Sequence, residues 1–202
     1  GGGDGNQTAS AYDVISGGYF NTVTGYSSTV SGGYRNCIYA NNASIGGGIC
    51  NYICCTTACN CNAGATIAGG VGNNTSGGTW NGAYFCVAPT TFYAAGQLST
   101  IGGGFQNRAV GEYSVVSGGI FNVANTIYSF VGGGYGNFSS GQAAMIGGGR
   151  SHTTSNIYAT VLSGYNNTAT GYASTVSGGY QNVASGTDSA ISGGRRSEEH
   201  TS

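Results

Sequence analysis

A β-branched residue, then glycines, two variable residues and an asparagine recur along this chain at a step of fifteen residues. Complete units close at Asn21, Asn36, Asn51, Asn73, Asn107, Asn122, Asn137, His152, Asn167 and Asn182. Six residues before each closing position stands Ile15, Val30, Ile45, Ile67, Ile101, Val116, Val131, Ile146, Val161 or Val176, and Ile191 continues the series. Two and three places after that residue come glycines, as at Gly17 and Gly18 or Gly178 and Gly179, with Ser163 the one exception. Invariant glycine at a fixed place in a repeat reads as a corner of the backbone. Two residues before the Val/Ile the side chain is small (Ser28, Ala43, Ser114, Ala144, Ser174), apart from Asp13 in the first complete unit. Period-two alternation puts both positions on one face of a strand.

A unit this short cannot hold a pair of helices and lacks helix formers. It predicts one turn of an all-β parallel β-solenoid, about twelve turns of fifteen residues, in which equivalent residues stack about 4.8 Å apart as ladders of like side chains. The Val/Ile ladder then forms a thin buried interior with one large apolar residue per turn. The closing asparagines either stack as an amide ladder or take the left-handed turn conformation that asparagine tolerates. His152 replaces one rung without catalytic meaning. Tyr19, Tyr34, Ile49, Val71, Phe105, Ile120, Tyr135, Tyr165 and Tyr180 share a further column two places before the closing residue. Monomers seldom expose an apolar stripe that long, so it reads either as a seam between chains or as a solvent-facing surface for ligand capture.

Composition narrows the class. The 202 residues include 41 glycines and 15 tyrosines, one proline and no lysine, and only 5 % are charged, against about a quarter in most globular chains. That balance excludes a nucleic-acid binder steered by basic charge. Abundant Gly, Ser, Thr and Asn with little charge also suits disorder, but the fixed Val/Ile column argues for an ordered array. After Arg195 the repeat stops. Residues 196–202 resemble the in-frame translation of a common sequencing-library adapter and are set apart from the repeat domain, 1–195. Gly1 to Asn6 read as the tail of a unit. Both ends are therefore expected to be cuts, leaving a signal peptide, stalk or anchor open.

Two neighbouring units depart from fifteen residues, with inserted loops near 52–64 and 74–95. The second holds the single tryptophan and proline, and Trp80, Tyr84, Phe85 and Phe92 form its aromatic set. Insertions in repeat arrays map to loops that often carry binding, so these residues are candidate ligand contacts; the other reading is a loop packing its own aromatics. Five of seven cysteines crowd into Cys50, Cys54, Cys55, Cys59 and Cys61. Their spacing lacks the paired Cys-x-x-Cys arrangement and the histidines of a zinc site. Disulfides between the loops, with Cys86 and Cys37 as partners, suit an extracellular protein; buried thiols and a metal remain the other readings.

No Ser/His/Asp or Cys/His constellation can be assembled, and Asp4, Asp13, Glu112 and Asp188 lie many turns apart, out of reach for paired acid–base work. The glycine strings recur in every turn with no helix after them, so they are corners and not phosphate loops. Calcium-binding rolls need an aspartate in each repeat, which is missing here. The expectation is a non-enzyme with no cofactor and no metal.

Segments such as Thr22-Val23-Thr24-Gly25-Tyr26-Ser27-Ser28-Thr29-Val30-Ser31-Gly32-Gly33 and Thr168-Ala169-Thr170-Gly171-Tyr172-Ala173-Ser174-Thr175-Val176-Ser177-Gly178-Gly179 resemble the haemagglutinin-like head repeats of trimeric autotransporter adhesins, the YadA-like group. The resemblance spans nearly all of residues 1–195. It implies a left-handed β-roll, a side-by-side homotrimer, and a surface-exposed, extracellular head that binds host matrix or cell-surface ligands, held at the outer membrane only through a C-terminal anchor outside this sequence. The Gly-Gly-Tyr corner and fifteen-residue step depart from the family's usual repeat, so no binding residue carries over. A phage or giant-virus attachment fibre is the alternative, and a structural or ice-binding solenoid the second. Asn-x-Ser/Thr sequons at Asn6, Asn42, Asn73, Asn74, Asn137 and Asn166 are what an Asn/Thr/Ser-rich repeat produces by chance.

Overall fold

A computed structural model describes residues 2–53, 64–75 and 96–196, with the backbone of Thr79–Trp80, Cys86–Val87 and Glu198–Glu199. Each repeat folds into one turn of a solenoid whose strands are two residues long and pair in parallel with their equivalents one repeat along. The Val/Ile strands, Val14–Ile15 to Ala190–Ile191, form one sheet of eleven. A second face begins at Gln7–Thr8, Thr22–Val23, Cys37–Ile38 and Tyr52–Ile53. It crosses the insertions through bridges from Tyr52 to Asn74 and from Asn74 to Arg108, and then continues as a sheet of seven. A third column of single bridges runs from Asp4 through Tyr19 to Arg195. Register never slips, because a one-residue shift would turn every buried Val or Ile outward.

The interior holds two ladders, where the sequence predicts one large apolar residue per turn. Val30, Ile45, Ile67, Ile101, Val116, Val131, Ile146, Val161 and Val176 are fully buried, Ile191 nearly so, and Ile15 packs against the end of the cluster. Facing them from the second face are Val23, Ile38 and Ile53, then Ala109, Ala124, Ser139, Thr154, Ala169 and Ala184, also buried. The coil is thus filled by branched side chains on both faces near its start and by branched against small residues farther on. Where the second ladder turns polar, Thr154 Oγ1 donates to Ser139 Oγ at 3.0 Å and Ser139 Oγ to the Ala144 carbonyl at 3.1 Å, so neither hydroxyl is buried unpaired. Burying each Val or Ile is worth about 1.5–3 kcal/mol, and the ladder repeats that gain at every level.

Besides the corner glycines, two places per turn put residues with side chains in the left-handed region. One column contains Phe20, Arg35, Cys50, Gln106, Phe121, Ser151, Asn166 and Gln181, with φ between 50° and 59°. It lies immediately before the closing asparagine, so the left-handed place is the neighbour's and the asparagine forms the ladder. The other contains Tyr12, Ser27, Asn42, Leu98, Tyr113, Tyr128, Tyr158 and Asp188. Neither column holds a Val, Ile or Thr among these residues, in keeping with the cost of a β-branched side chain at positive φ. Asp13, the exception among the small interior residues, is half-buried and accepts backbone N–H groups of Ser10 at 3.0 Å and Ser28 at 3.2 Å.

Both surplus stretches fall at the same place in the repeat, after the second face and before the Val/Ile strand: register holds through Ile53 and again from Thr66, and through Asn74 and again from Thr100. Within the second insertion Thr79–Trp80 pairs antiparallel with Cys86–Val87. Glu198–Glu199, in the adapter-like tail, pairs in parallel with Val183–Ala184 as a further rung of backbone.

Candidate functional site

The closing asparagines form a buried polar spine. Asn122 accepts the backbone N–H of Asn137 on Oδ1 at 3.0 Å, while its Nδ2 donates to the carbonyls of Gly118 and Gly134, both at 2.9 Å. Asn36 and Asn137 repeat the arrangement, and Asn182 repeats its two donated bonds. One side chain therefore ties its own level to the next and satisfies groups that would otherwise be buried without partners.

His152 takes this place in one turn, fully buried. Its backbone N–H donates to Asn137 Oδ1 at 2.9 Å, and its Nδ1 accepts the N–H of Asn167 at 3.0 Å. An accepting Nδ1 carries no proton, so the ring is neutral with hydrogen on Nε2. That atom faces the Gly164 carbonyl but does not reach hydrogen-bond geometry with it. Burial lowers the ring's pKa, offset in part by the backbone groups of Gly164 and Asn167. The folded chain then binds fewer protons than the unfolded chain, whose histidine titrates near about 6.5, and stability present above that pH falls as the solution is acidified through it. Denaturant titrations at pH 7.5 and 5 are expected to show this loss in the natural chain and a smaller one in His152→Asn. An equal loss in both would place the acid sensitivity elsewhere.

The surface carries two aromatic edges. The third column presents Tyr19, Tyr34, Ile49, Phe105, Ile120, Tyr135, Tyr165 and Tyr180, all exposed. Phe20 and Phe121 come from the adjacent left-handed column and meet Tyr34 and Tyr135 edge-on, with centroids 6.2 and 5.7 Å apart. The apolar stripe read from sequence is interrupted by Arg150 and ends on Arg195, two charged residues that keep the fifteen-residue register. The Arg150 guanidinium lies 5.2 Å from the Tyr135 ring and 5.6 Å from Tyr165, and that of Arg195 lies 5.2 Å from Tyr180. Tyr165 and Tyr180 stack at 5.2 Å and 10°. Arg35 similarly covers Tyr34 at 5.1 Å.

A second edge, after the second face and before the Val/Ile strand, pairs Tyr12 with Tyr26, Tyr113 with Tyr128 and Tyr158 with Tyr172 at 5.2–5.9 Å. It also bears Glu112 and Asp188. Its tyrosines fall in two adjacent places of the repeat, Tyr12, Tyr113, Tyr128 and Tyr158 in one and Tyr26 and Tyr172 in the other.

Of the candidate contacts in the insertion, Trp80 is in the antiparallel hairpin by its backbone, while Tyr84, Phe85 and Phe92 lie outside the described residues. So do Cys54, Cys55, Cys59 and Cys61. Cys86 is placed opposite Trp80 in the hairpin register. Cys50 is buried and Cys37 half-buried. Burial raises the pKa of the Cys37 thiol, the nearby Cys50 adds to the rise, and a hydrogen bond with Thr22 opposes it. Burial also raises that of Cys50, against the pull of Arg35. Such thiols stay protonated at neutral pH and are weak nucleophiles and metal ligands. Among the sequons, Asn73, Asn74 and Asn137 are buried, whereas Asn42 and Asn166 are exposed.

The outward columns of both sheets are irregular. One reads Thr100, Val115, Phe130, Met145, Thr160, and the other Arg108, Val123, Phe138, Thr153, Thr168. Among the described residues no helix is long and apolar enough to cross a membrane, and no group of three or more His, Cys, Asp or Glu is placed to hold a metal ion. Compared with known proteins, the chain matches no family model and no curated sequence.

Proposed function

We propose that this chain is the non-catalytic head of a surface-exposed adhesin that attaches to host matrix or to other cells. The observation that carries the proposal is the long, exposed aromatic and arginine edge from Tyr19 to Arg195. A rigid rod with such an edge offers many weak contacts side by side, and their sum provides avidity without any deep pocket. The resemblance to trimeric adhesin head repeats points the same way. It suggests three copies side by side, for which the tyrosine corner at Tyr113, Tyr128 and Tyr158 offers an apolar seam. The irregular outward columns weigh against an ice-templating surface, which needs a flat array of one residue type.

Beads coated with the full chain are expected to attach to immobilised extracellular matrix or to cell monolayers well above beads coated with an inert protein, and sedimentation is expected to give three times the chain mass. Attachment no better than the inert coat would overturn the adhesive reading. A gene that continues into a self-cleaving chaperone or capsid-attachment domain, instead of a heptad stalk and membrane barrel, would move the rod to a viral fibre.

A further inference from the structure

Five consecutive rungs of the third column, Tyr135, Arg150, Tyr165, Tyr180 and Arg195, with bridges between each neighbouring pair, form one continuous stack of rings and guanidinium groups. We propose that this segment binds an extended acidic polysaccharide, its carboxylate or sulfate groups received by Arg150 and Arg195 and its hydroxyls by the intervening phenols. The proposal rests on the adhesive reading and names the ligand class for that same edge.

The stacking decides what the edge offers to solvent. The Arg150 guanidinium stands over two tyrosine rings, at 5.2 and 5.6 Å, so the rings hold in place a cation that carries five N–H donors and no acceptor. Tyr165 and Tyr180 lie nearly parallel, 5.2 Å apart along the column. Their facing surfaces are taken up by each other, and what they offer to solvent is ring edge and hydroxyl. A base or an aromatic ligand needs an open ring face, whereas an anionic, hydroxyl-rich chain needs rows of donors. The cation–π contacts also hold each guanidinium in place before binding, which reduces the side-chain entropy lost on capture.

Spacing and charge agree with that class. Rungs repeat about every 4.8 Å, close to the rise per sugar of an extended pyranose chain, so a polysaccharide along the edge meets one side chain per residue. Arg150 and Arg195 are three rungs apart, about 14 Å. Both are exposed. Glu112 and Asp188 stand on the other aromatic corner, and Asp4, the acid in this column, is at its far end. The edge is thus positive on a chain of nearly zero net charge, and among the described residues a polyanion meets no carboxylate along these five rungs.

The test is direct binding of the full chain to four probes: heparin fragments, a polyuronate such as alginate, neutral dextran, and oligothymidylate as a single-stranded nucleic acid. Heparin or alginate is expected to bind, more weakly as salt rises, with dextran not binding. The double variant Arg150→Gln/Arg195→Gln is expected to lose tenfold or more in affinity, while Thr153→Gln/Thr168→Gln, on the outward column of the second face, retains it. Circular dichroism on each variant separates lost binding from lost folding, since these side chains lie outside the buried ladders. No binding to either acidic polysaccharide, an unchanged affinity in the arginine variant, or tighter binding to oligothymidylate would each overturn the proposal. The bead assay separates the two readings. Beads that attach while neither polysaccharide binds would sink this ligand and leave the adhesin standing, whereas polysaccharide binding without attachment to any surface would do the reverse.

Discussion

Replacing Asn122 by alanine is expected to cost about 2–6 kcal/mol, from the roughly 1–3 kcal/mol lost for each of two buried polar groups left unpaired. Two groups lose their partners: the N–H of Asn137 and the carbonyl of Gly118. The Gly134 carbonyl keeps the N–H of Ile120 and is not orphaned. Chemistry at this place should rank the variants. Histidine should be tolerated best, because His152 already fills a rung with Nδ1 accepting the next backbone N–H. Aspartate should be worst at neutral pH. It retains an acceptor for Asn137 but aims a buried negative charge at two carbonyl oxygens where Nδ2 now donates. Urea titration of the three variants reads the order. An aspartate variant as stable as alanine would mean that donation from Nδ2 does not hold the corner.

The second large effect is expected at Gly134. Its φ is +90°, outside the range that side-chain-bearing residues adopt comfortably, and a Cβ there would run into the backbone carbonyl of Gly149 on the next level. Neither element can relax alone, because Gly149 is itself fixed by the N–H groups of Tyr135 and by the Asn137 side chain. Gly134→Ala is expected to lose about 3 kcal/mol or more, combining backbone strain of about 1–3 kcal/mol with the steric contact. Gly148 supplies the contrast within one corner. Nothing lies within 4 Å of a Cβ built there, and Gly148→Ala is expected to shift stability by no more than about 1 kcal/mol. Thermal melts of the pair decide the matter; similar losses at both would show that the corner tolerates a side chain and that glycine is there for another reason. Because a solenoid unfolds level by level, hydrogen exchange around Asn122 and Gly134 should show whether the damage stays near the altered turn.

The exposed aromatic edge was only half legible in the sequence. The column of Tyr135, Tyr165 and Tyr180 could be read directly, since equivalent positions of a repeat must stack. Arg150 was skipped because a hydrophobic stripe was sought, yet it shares the register, and a guanidinium between two rings is at home in such a column. The tyrosine corner was missed for a different reason: Tyr12 and Tyr26 occupy neighbouring places in their repeats, and only the turn geometry brings their rings to 5.6 Å.

By itself the sequence determined the architecture. A fifteen-residue period with one invariant branched position, fixed glycines and a closing asparagine leaves a parallel stack of short strands as the arrangement in which every like residue meets its like. It also placed Ile45, Val116 and Ile146 in the interior, since alternation and register together leave them no other face. Tertiary structure alone decided how many ladders fill the coil. Val23, Ile38 and Ile53 give way to Ala124 and Ser139 along one column, a drift that a search for identity between repeats does not detect. Tertiary structure also decided which of two readings the asparagines take, because the left-handed turn falls on their neighbours and frees the amides for the spine. Finally, it set the Arg150 guanidinium over the Tyr135 and Tyr165 rings, a contact that depends on side-chain packing in three dimensions.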